Sequence, residues 1–120
     1  MTKLWNSTLH TRRQRKHVLK PERVIDVEHM QRVKRLGCIV CRNLGRGWVA
    51  ADAHHIKRNP DGSKLGMRQK AGDHEVIPLC PREHHWNGSE VRMSMSEFEA
   101  RFGNELELLA QTLALLQVAA

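Results

Sequence analysis

Apolar residues recur at three-residue steps early in the chain: Val24, Val27, Met30 and Val33, with Leu36 continuing the stripe. That period marks one face of a helix and predicts one over residues 22–36. Pro21 can occupy its first turn, where a missing N–H costs nothing. Gly37 stands where a left-handed residue commonly closes a helix. A second stripe, Leu106, Leu109, Ala110, Leu113 and Leu116, predicts a C-terminal helix. Two capping-box spacings precede it: Ser96 with Glu99, and Asn104 with Glu107 after the Gly103-Asn104 interruption.

The middle of the chain reads differently. Gly45, Gly47 and the segment Trp48-Val49-Ala50-Ala51 predict a turn into a short strand that delivers His54-His55-Ile56. Glu75-Val76-Ile77-Pro78-Leu79 predicts a second strand, ending at Cys80. Residues 57–72 form a polar loop, with Pro60-Asp61-Gly62 as its turn signal. Pro81 can start a short helix carrying His84, His85 and Trp86, broken by Asn87-Gly88-Ser89. No apolar period supports a packed element in residues 1–20, which read as a mobile arm.

Composition sharpens this picture. A chain of 120 residues fits one domain, close to the size at which a hydrophobic core alone suffices. Its large anchors are Trp5, Trp48, Trp86, Phe98 and Phe102, and aromatic residues make up only 4% of the chain. A core this thin invites a staple such as a metal. No run of about eighteen apolar residues occurs, so no membrane helix is expected. The basic N-terminus has no apolar segment behind it, as a secretory leader would, and the chain reads as cytoplasmic.

The net charge of +7 is segregated. Residues 1–35 hold ten Lys or Arg against three acids, while residues 36–120 hold ten of each sign. The run Arg12-Arg13-Gln14-Arg15-Lys16 concentrates the excess. A solvated tail would carry such charge, but a basic arm beside a neutral domain points to a polyanion, with DNA or RNA the obvious partner.

Candidate chemistry lies in four features, in order: Cys38-x-x-Cys41, His54-His55, Cys80 and His84-His85. Three cysteines cannot close a disulfide framework. Three thiolates and one imidazole from His84-His85 suit tetrahedral zinc, which uses every cysteine and leaves no open position. Such a zinc is structural and ties the halves of the core together. The redox alternative for the C-x-x-C pair leaves Cys80 idle. The second set is His54, His55 and the remaining histidine, most naturally His85. Adjacent strand residues point in opposite directions, so one imidazole of the doublet can face a metal while the other faces water. Imidazole ordinarily titrates nearest neutral pH and suits a general base. The plain alternative makes both histidines structural.

These motifs, read as Leu36-Gly37-Cys38-Ile39-Val40-Cys41, Ala53-His54-His55-Ile56, Ile77-Pro78-Leu79-Cys80 and His84-His85, resemble the zinc-containing HNH (ββα-metal, His-Me finger) endonucleases. More narrowly they are similar to phage-borne proteins related to the RecA-dependent nuclease Ref. Gly66-Met67-Arg68-Gln69-Lys70-Ala71 and Phe98-Glu99-Ala100-Arg101-Phe102-Gly103 look typical of those proteins. The resemblance covers about residues 21–116. It implies an α+β fold: a small ββα-metal core stapled by structural zinc and flanked by N- and C-terminal helices, with residues 1–20 as the basic arm and 21–120 as the nuclease domain. It implies that His54 and His85 bind a catalytic divalent metal, usually Mg2+, that His55 is the general base, and that Cys38, Cys41, Cys80 and His84 hold zinc. The family's middle position, often Asn, falls in Asp73-His74-Glu75, where His74 or Glu75 could serve.

Two departures stand out. Three residues separate Cys80 from His84, where the family usually has two, which leaves the division of labour between His84 and His85 open. Relatives also tend to carry a further His where this chain has Arg92-Met93-Ser94-Met95-Ser96. The expected activity is phosphodiester hydrolysis in DNA. Arg12, Arg13, Arg15 and Lys16 of the arm, and Lys57, Arg58, Lys64, Arg68 and Lys70 of the loop, would contact phosphates. The resemblance adds a RecA-type recombinase filament as a partner and a phage or prophage setting with a role in recombination. The rivals are a zinc-binding DNA module without cleavage and a recombination or packaging accessory. The C-terminal helix reads as structural, closing over the zinc region or making a dimer contact.

Overall fold

The computed structural model describes residues 23–66 and 71–119. The predicted phosphate contacts Arg12, Arg13, Arg15, Lys16, Arg68 and Lys70 lie outside the described residues, as does the boundary between arm and domain. The described chain is α+β, in the order α1 (Val27–Arg35), α2 (Ile39–Asn43), β1 (Asp52–His55), β2 (Val76–Leu79), α3 (Met95–Phe102) and α4 (Glu105–Ala119). The two strands pair antiparallel, with Asp52 opposite Leu79 and His55 opposite Val76. All four residues of β2 are buried, and α1, α2 and α4 pack against it. Val33, Ile39, Val40, Ile56, Val76, Ile77, Leu79, Phe98 and Leu108 form the apolar interior together with the three cysteines. Among the described residues, no helix is long and apolar enough to cross a membrane.

α1 starts later than its apolar pattern predicts, and of that pattern only Val33 is fully buried. Asp26 is the N-cap, its carboxylate accepting from the His29 amide, and the buried residues are His29 and Val33. Val24 and Val27 are exposed. The cause is a polar clasp. The Asp26 amide donates to Asp73 Oδ2 at 2.7 Å, and the Asp73 amide donates to the Val24 carbonyl at 3.0 Å. These bonds hold residues 23–26 along the Gly72-Asp73 turn, outside the helix.

Gly37 does take the left-handed conformation, with φ at +77°. A Cβ there would meet Trp48 Cδ1 at 2.7 Å and the Val49 carbonyl at 3.0 Å. The close approach lets the Trp48 indole donate to the Arg35 carbonyl and the Cys38 amide to the Val49 carbonyl. Gly37→Ala is therefore expected to destabilise the chain by about 2 kcal/mol, since a left-handed Cβ already costs roughly 1–2 kcal/mol before the clash. Urea unfolding of the variant beside the natural chain measures this.

Three further boundaries differ from the pattern. Ser94, not Ser96, caps α3, accepting from the Glu97 amide. Residues 81–84 make a turn rather than a short helix, with the His84 and His85 amides both donating to the Cys80 carbonyl. The buried face of α4 runs through Glu105, Leu108 and Thr112, while Ala110 and Leu113 are exposed. Apolar residues nearly encircle α4, so periodicity alone could not orient it. Asn104 does cap that helix, its side chain accepting from the Leu106 amide at 2.7 Å. Asn43 and Gln111 exchange two side-chain hydrogen bonds that tie α4 to α2.

Candidate functional site

The Cys38-x-x-Cys41 turn folds as the start of α2. Cys38 is its N-cap, and its sulfur accepts from the Cys41 amide at 3.4 Å. Cys80 arrives directly after β2, and the following turn carries His84 back over it. All four side chains are buried. Cys41 Sγ lies 3.8 Å from Cys80 Sγ. His84 Nδ1 lies 3.4 Å from Cys38 Sγ, 3.4 Å from Cys41 Sγ and 3.1 Å from Cys80 Sγ. A zinc tetrahedron with Zn–S bonds of ~2.3 Å and a Zn–N bond of ~2.0 Å has S···S edges of about 3.8 Å and S···N edges of about 3.5 Å. The donor set and its spacing therefore fit zinc. They also divide the histidine doublet: His84 joins the cluster and His85 does not.

The protonation chemistry is consistent with a metal ligand set. Burial pushes the Cys41 thiol up to about 12, helped by its bond to Cys38, and burial likewise raises Cys38. Burial lowers His84, favouring the neutral ring that a ligand needs. Thiolates therefore form here only with a cation to stabilise them. The rings of Phe102 of α3 and His84 meet in a T-shaped contact, with centroids 4.8 Å apart.

His54 and His55 end β1 and diverge as strand neighbours do. His54 is buried, with 2% of its side chain exposed, while His55 keeps 15% exposed. His54 Nε2 lies 2.5 Å from Glu105 Oε2. Glu105 is the first residue of α4 and is fully buried; the Lys57 amide donates to its other oxygen at 2.8 Å, and the Trp86 indole donates to Oε2 at 3.2 Å. Burial alone would raise this carboxyl, but the His54, Lys57 and Trp86 bonds outweigh it and hold the group below its ordinary range. His85 sets its ring edge against His54 at 5.0 Å, with Nδ1 3.7 Å from Asp52 Oδ2, and burial lowers its pKa. Among the described residues, the Cys38-Cys41-Cys80-His84 cluster is the one where at least three ligand atoms fall within 4.8 Å of each other. His54 and His85 are neighbours but do not complete a second such cluster.

His55 is braced separately. Its Nε2 lies 2.8 Å from Asp73 Oδ1, and the Arg23 guanidinium reaches both Asp73 Oδ1, at 3.2 Å, and the ring nitrogen, at 3.3 Å. The His55 bond, then the Asp26 amide, hold Asp73 down to about 2. His74 turns away to Asp26 Oδ2 at 2.9 Å. The Asp73-His74-Glu75 stretch thus supplies the site with Asp73.

Glu105 and Asp73 were invisible as site residues in the sequence. Glu105 had no role in the sequence reading, and within Asp73-His74-Glu75 the favoured residues were His74 and Glu75. Of the predicted phosphate contacts, Arg58 donates to Glu99 through Nε and NH2 and to the Gly62 carbonyl, so a phosphate would have to displace Glu99. Lys57 and Lys64 form no ion pair among the described residues. Removing Glu105 would strand His54, the Lys57 amide and the Trp86 indole together. Glu105→Ala is expected to cost about 3 kcal/mol, at the lower end for breaking a buried pair, read as a lowered urea midpoint.

The fold and site define a small α+β domain built around a buried Cys3His cluster that could hold a metal ion. The chain matches a family described as "Protein of unknown function (DUF968)" over residues 10–118 and belongs to it. It is also similar to the "Uncharacterized protein YdfU" of Escherichia coli (strain K12), 34% identical over 90 residues. That match covers 75% of this chain and 22% of YdfU, so the chain spans under a quarter of that relative's length. No solved structure matches the chain.

Proposed function

We propose that the protein is a zinc-stapled, metal-dependent DNA endonuclease of the HNH type, cutting phosphodiester bonds in a phage or prophage recombination setting. The observation that carries this reading is the His54-His55 doublet at the end of β1. One ring turns inward beside His85, and the other stays partly open and braced by a buried carboxylate. Beside a zinc-type knot, that is the division of labour that metal-assisted hydrolysis needs.

His55 takes a proton from the attacking water, and Asp73 holds its ring in place. His54 and His85 would hold the catalytic metal. A divalent ion bound there supplies charge neutralisation at the scissile phosphate and the leaving oxygen. Its protein donors are two imidazole nitrogens, which suit a transition-metal ion better than Mg2+. Lys57 and Lys64, with the arm residues, add affinity that falls with salt. A RecA-type filament is the partner class that would present the DNA.

A second reading is a zinc-stapled DNA-binding module that does not cut. It is favoured by the lack of a second three-ligand cluster among the described residues. Supercoiled plasmid, incubated with the zinc-loaded protein and Mg2+, Mn2+ or Ni2+ in turn, separates the two. Metal-dependent nicked circles are expected, with Mn2+ or Ni2+ ahead of Mg2+. Salt-sensitive DNA binding without nicking, with or without a recombinase filament, would favour the binding module.

A further inference from the structure

We propose that Asp73 is a positioning residue that dictates which ring nitrogen of His55 serves as the base, and that this nitrogen is Nδ1. The inference rests on the nuclease reading above. His55 Nε2 sits 2.8 Å from Asp73 Oδ1. An imidazole lone pair facing a carboxylate lone pair at that distance is repulsive, so Nε2 carries the hydrogen and donates it. The longer approach of Arg23 NH2, 3.3 Å from Nε2, is the weaker contact, and that guanidinium has its own acceptor in Asp73 Oδ1 at 3.2 Å. In the neutral ring, Nδ1 then keeps the free lone pair. Asp73 can hold this arrangement because it is 1% exposed and fixed from both sides. Its Oδ2 accepts from the Asp26 amide at 2.7 Å, and its own amide donates to the Val24 carbonyl.

The same network makes an unusual demand on the near-isosteric variant. In Asp73→Asn the backbone amide of Asp26 still points at the former Oδ2 position and requires an acceptor there. The side-chain oxygen of the variant must face Asp26, so its NH2 group faces His55. Arg23, with more than a third of its side chain exposed, can swing aside. The new NH2 donates to His55 Nε2, forces the hydrogen onto Nδ1 and removes the lone pair the reaction uses. Asp73→Ala merely releases the ring, which then samples both tautomers. A residue that only supported shape would give the opposite order, with Asn milder than Ala.

The test measures plasmid nicking and ring nitrogen spectra on full-length, zinc-loaded protein labelled with 15N-histidine, using His55→Gln to assign the His55 signals. Asp73→Ala is expected to lose about 10-fold in kcat and Asp73→Asn about 100-fold, within the span seen when a partner of a site histidine is removed. KM for DNA and zinc content stay unchanged. The His55 ring is expected as the Nε2–H tautomer in the natural chain and as Nδ1–H in Asp73→Asn. An Asn variant milder than Ala, with the His55 tautomer unchanged, overturns the proposal. If the natural chain nicks nothing under any metal, the nuclease reading falls separately, and the tautomer of His55 in Asp73→Asn alone decides the role of Asp73. Should Asp73→Ala fail to fold, the Asn variant and its spectrum give the same decision.

Discussion

Cys80→Ser and His84→Ala are each expected to yield a chain that holds no zinc and shows no cooperative unfolding transition, while His85→Ala keeps one zinc and unfolds cooperatively. The apolar interior depends on the cluster in a literal sense. Cys38 caps α2, Cys41 lies within it, Cys80 directly follows β2 and the His84 ring packs against Phe102 of α3, so the cluster joins three separate elements. Among the described residues, Phe98 is the single fully buried Phe or Trp. Binding of structural zinc contributes roughly 10–16 kcal/mol in small zinc domains at neutral pH. A domain this size has only about 5–15 kcal/mol of net stability. Losing the ion therefore removes most or all of it. Without the ion, the raised Cys38 and Cys41 thiols stay protonated and offer no comparable bond. Metal analysis beside thermal unfolding checks the result. Zinc retained in His84→Ala but lost in His85→Ala would reverse the division of the doublet.

His55→Ala is expected to slow cleavage by about 10²–10⁴-fold, the range for a positioned general base, with zinc content and DNA affinity retained. The fold should tolerate the change. Removing the ring leaves Asp73 still paired with Arg23 and the Asp26 amide, so no buried carboxylate is stranded. The His54 position is different. There the ring is buried and its truncation would leave Glu105 without its main partner, so a loss of activity in His54→Ala would mix instability with chemistry. His55 is thus the cleaner probe. Fluorescence anisotropy on a labelled duplex checks the unchanged affinity.

The Cys3His cluster was legible in the sequence because its constraint is local and countable. Two cysteines at C-x-x-C spacing, a third closing a strand and a histidine four residues on leave few ways to use three thiols. The choice between His84 and His85 was not legible, since it depends on how the turn after Cys80 rotates, with both amides donating to one carbonyl. β2 was found within one residue, since Val76–Leu79 sits between clear turn signals, whereas β1 starts only at Asp52, past the apolar Trp48–Ala51 segment that suggested it. The helix faces were harder. α1 leaves Val27 exposed and buries His29 beside Val33, because the Asp26–Asp73 clasp holds the start of the apolar stripe outside the helix. α4 is apolar on most sides, and its orientation is fixed by an acid, Glu105, that must reach His54. Long-range carboxylate–histidine pairs leave no periodic trace along a chain. They were therefore the part of the site that only the folded structure reveals.

The most direct test of the account is the rate of supercoiled plasmid nicking by zinc-loaded protein in Mn2+, compared with His55→Ala at equal DNA occupancy. The account predicts metal-dependent nicking that falls at least 100-fold in the variant. Equal nicking by both proteins, or none by either while both bind DNA, would contradict it.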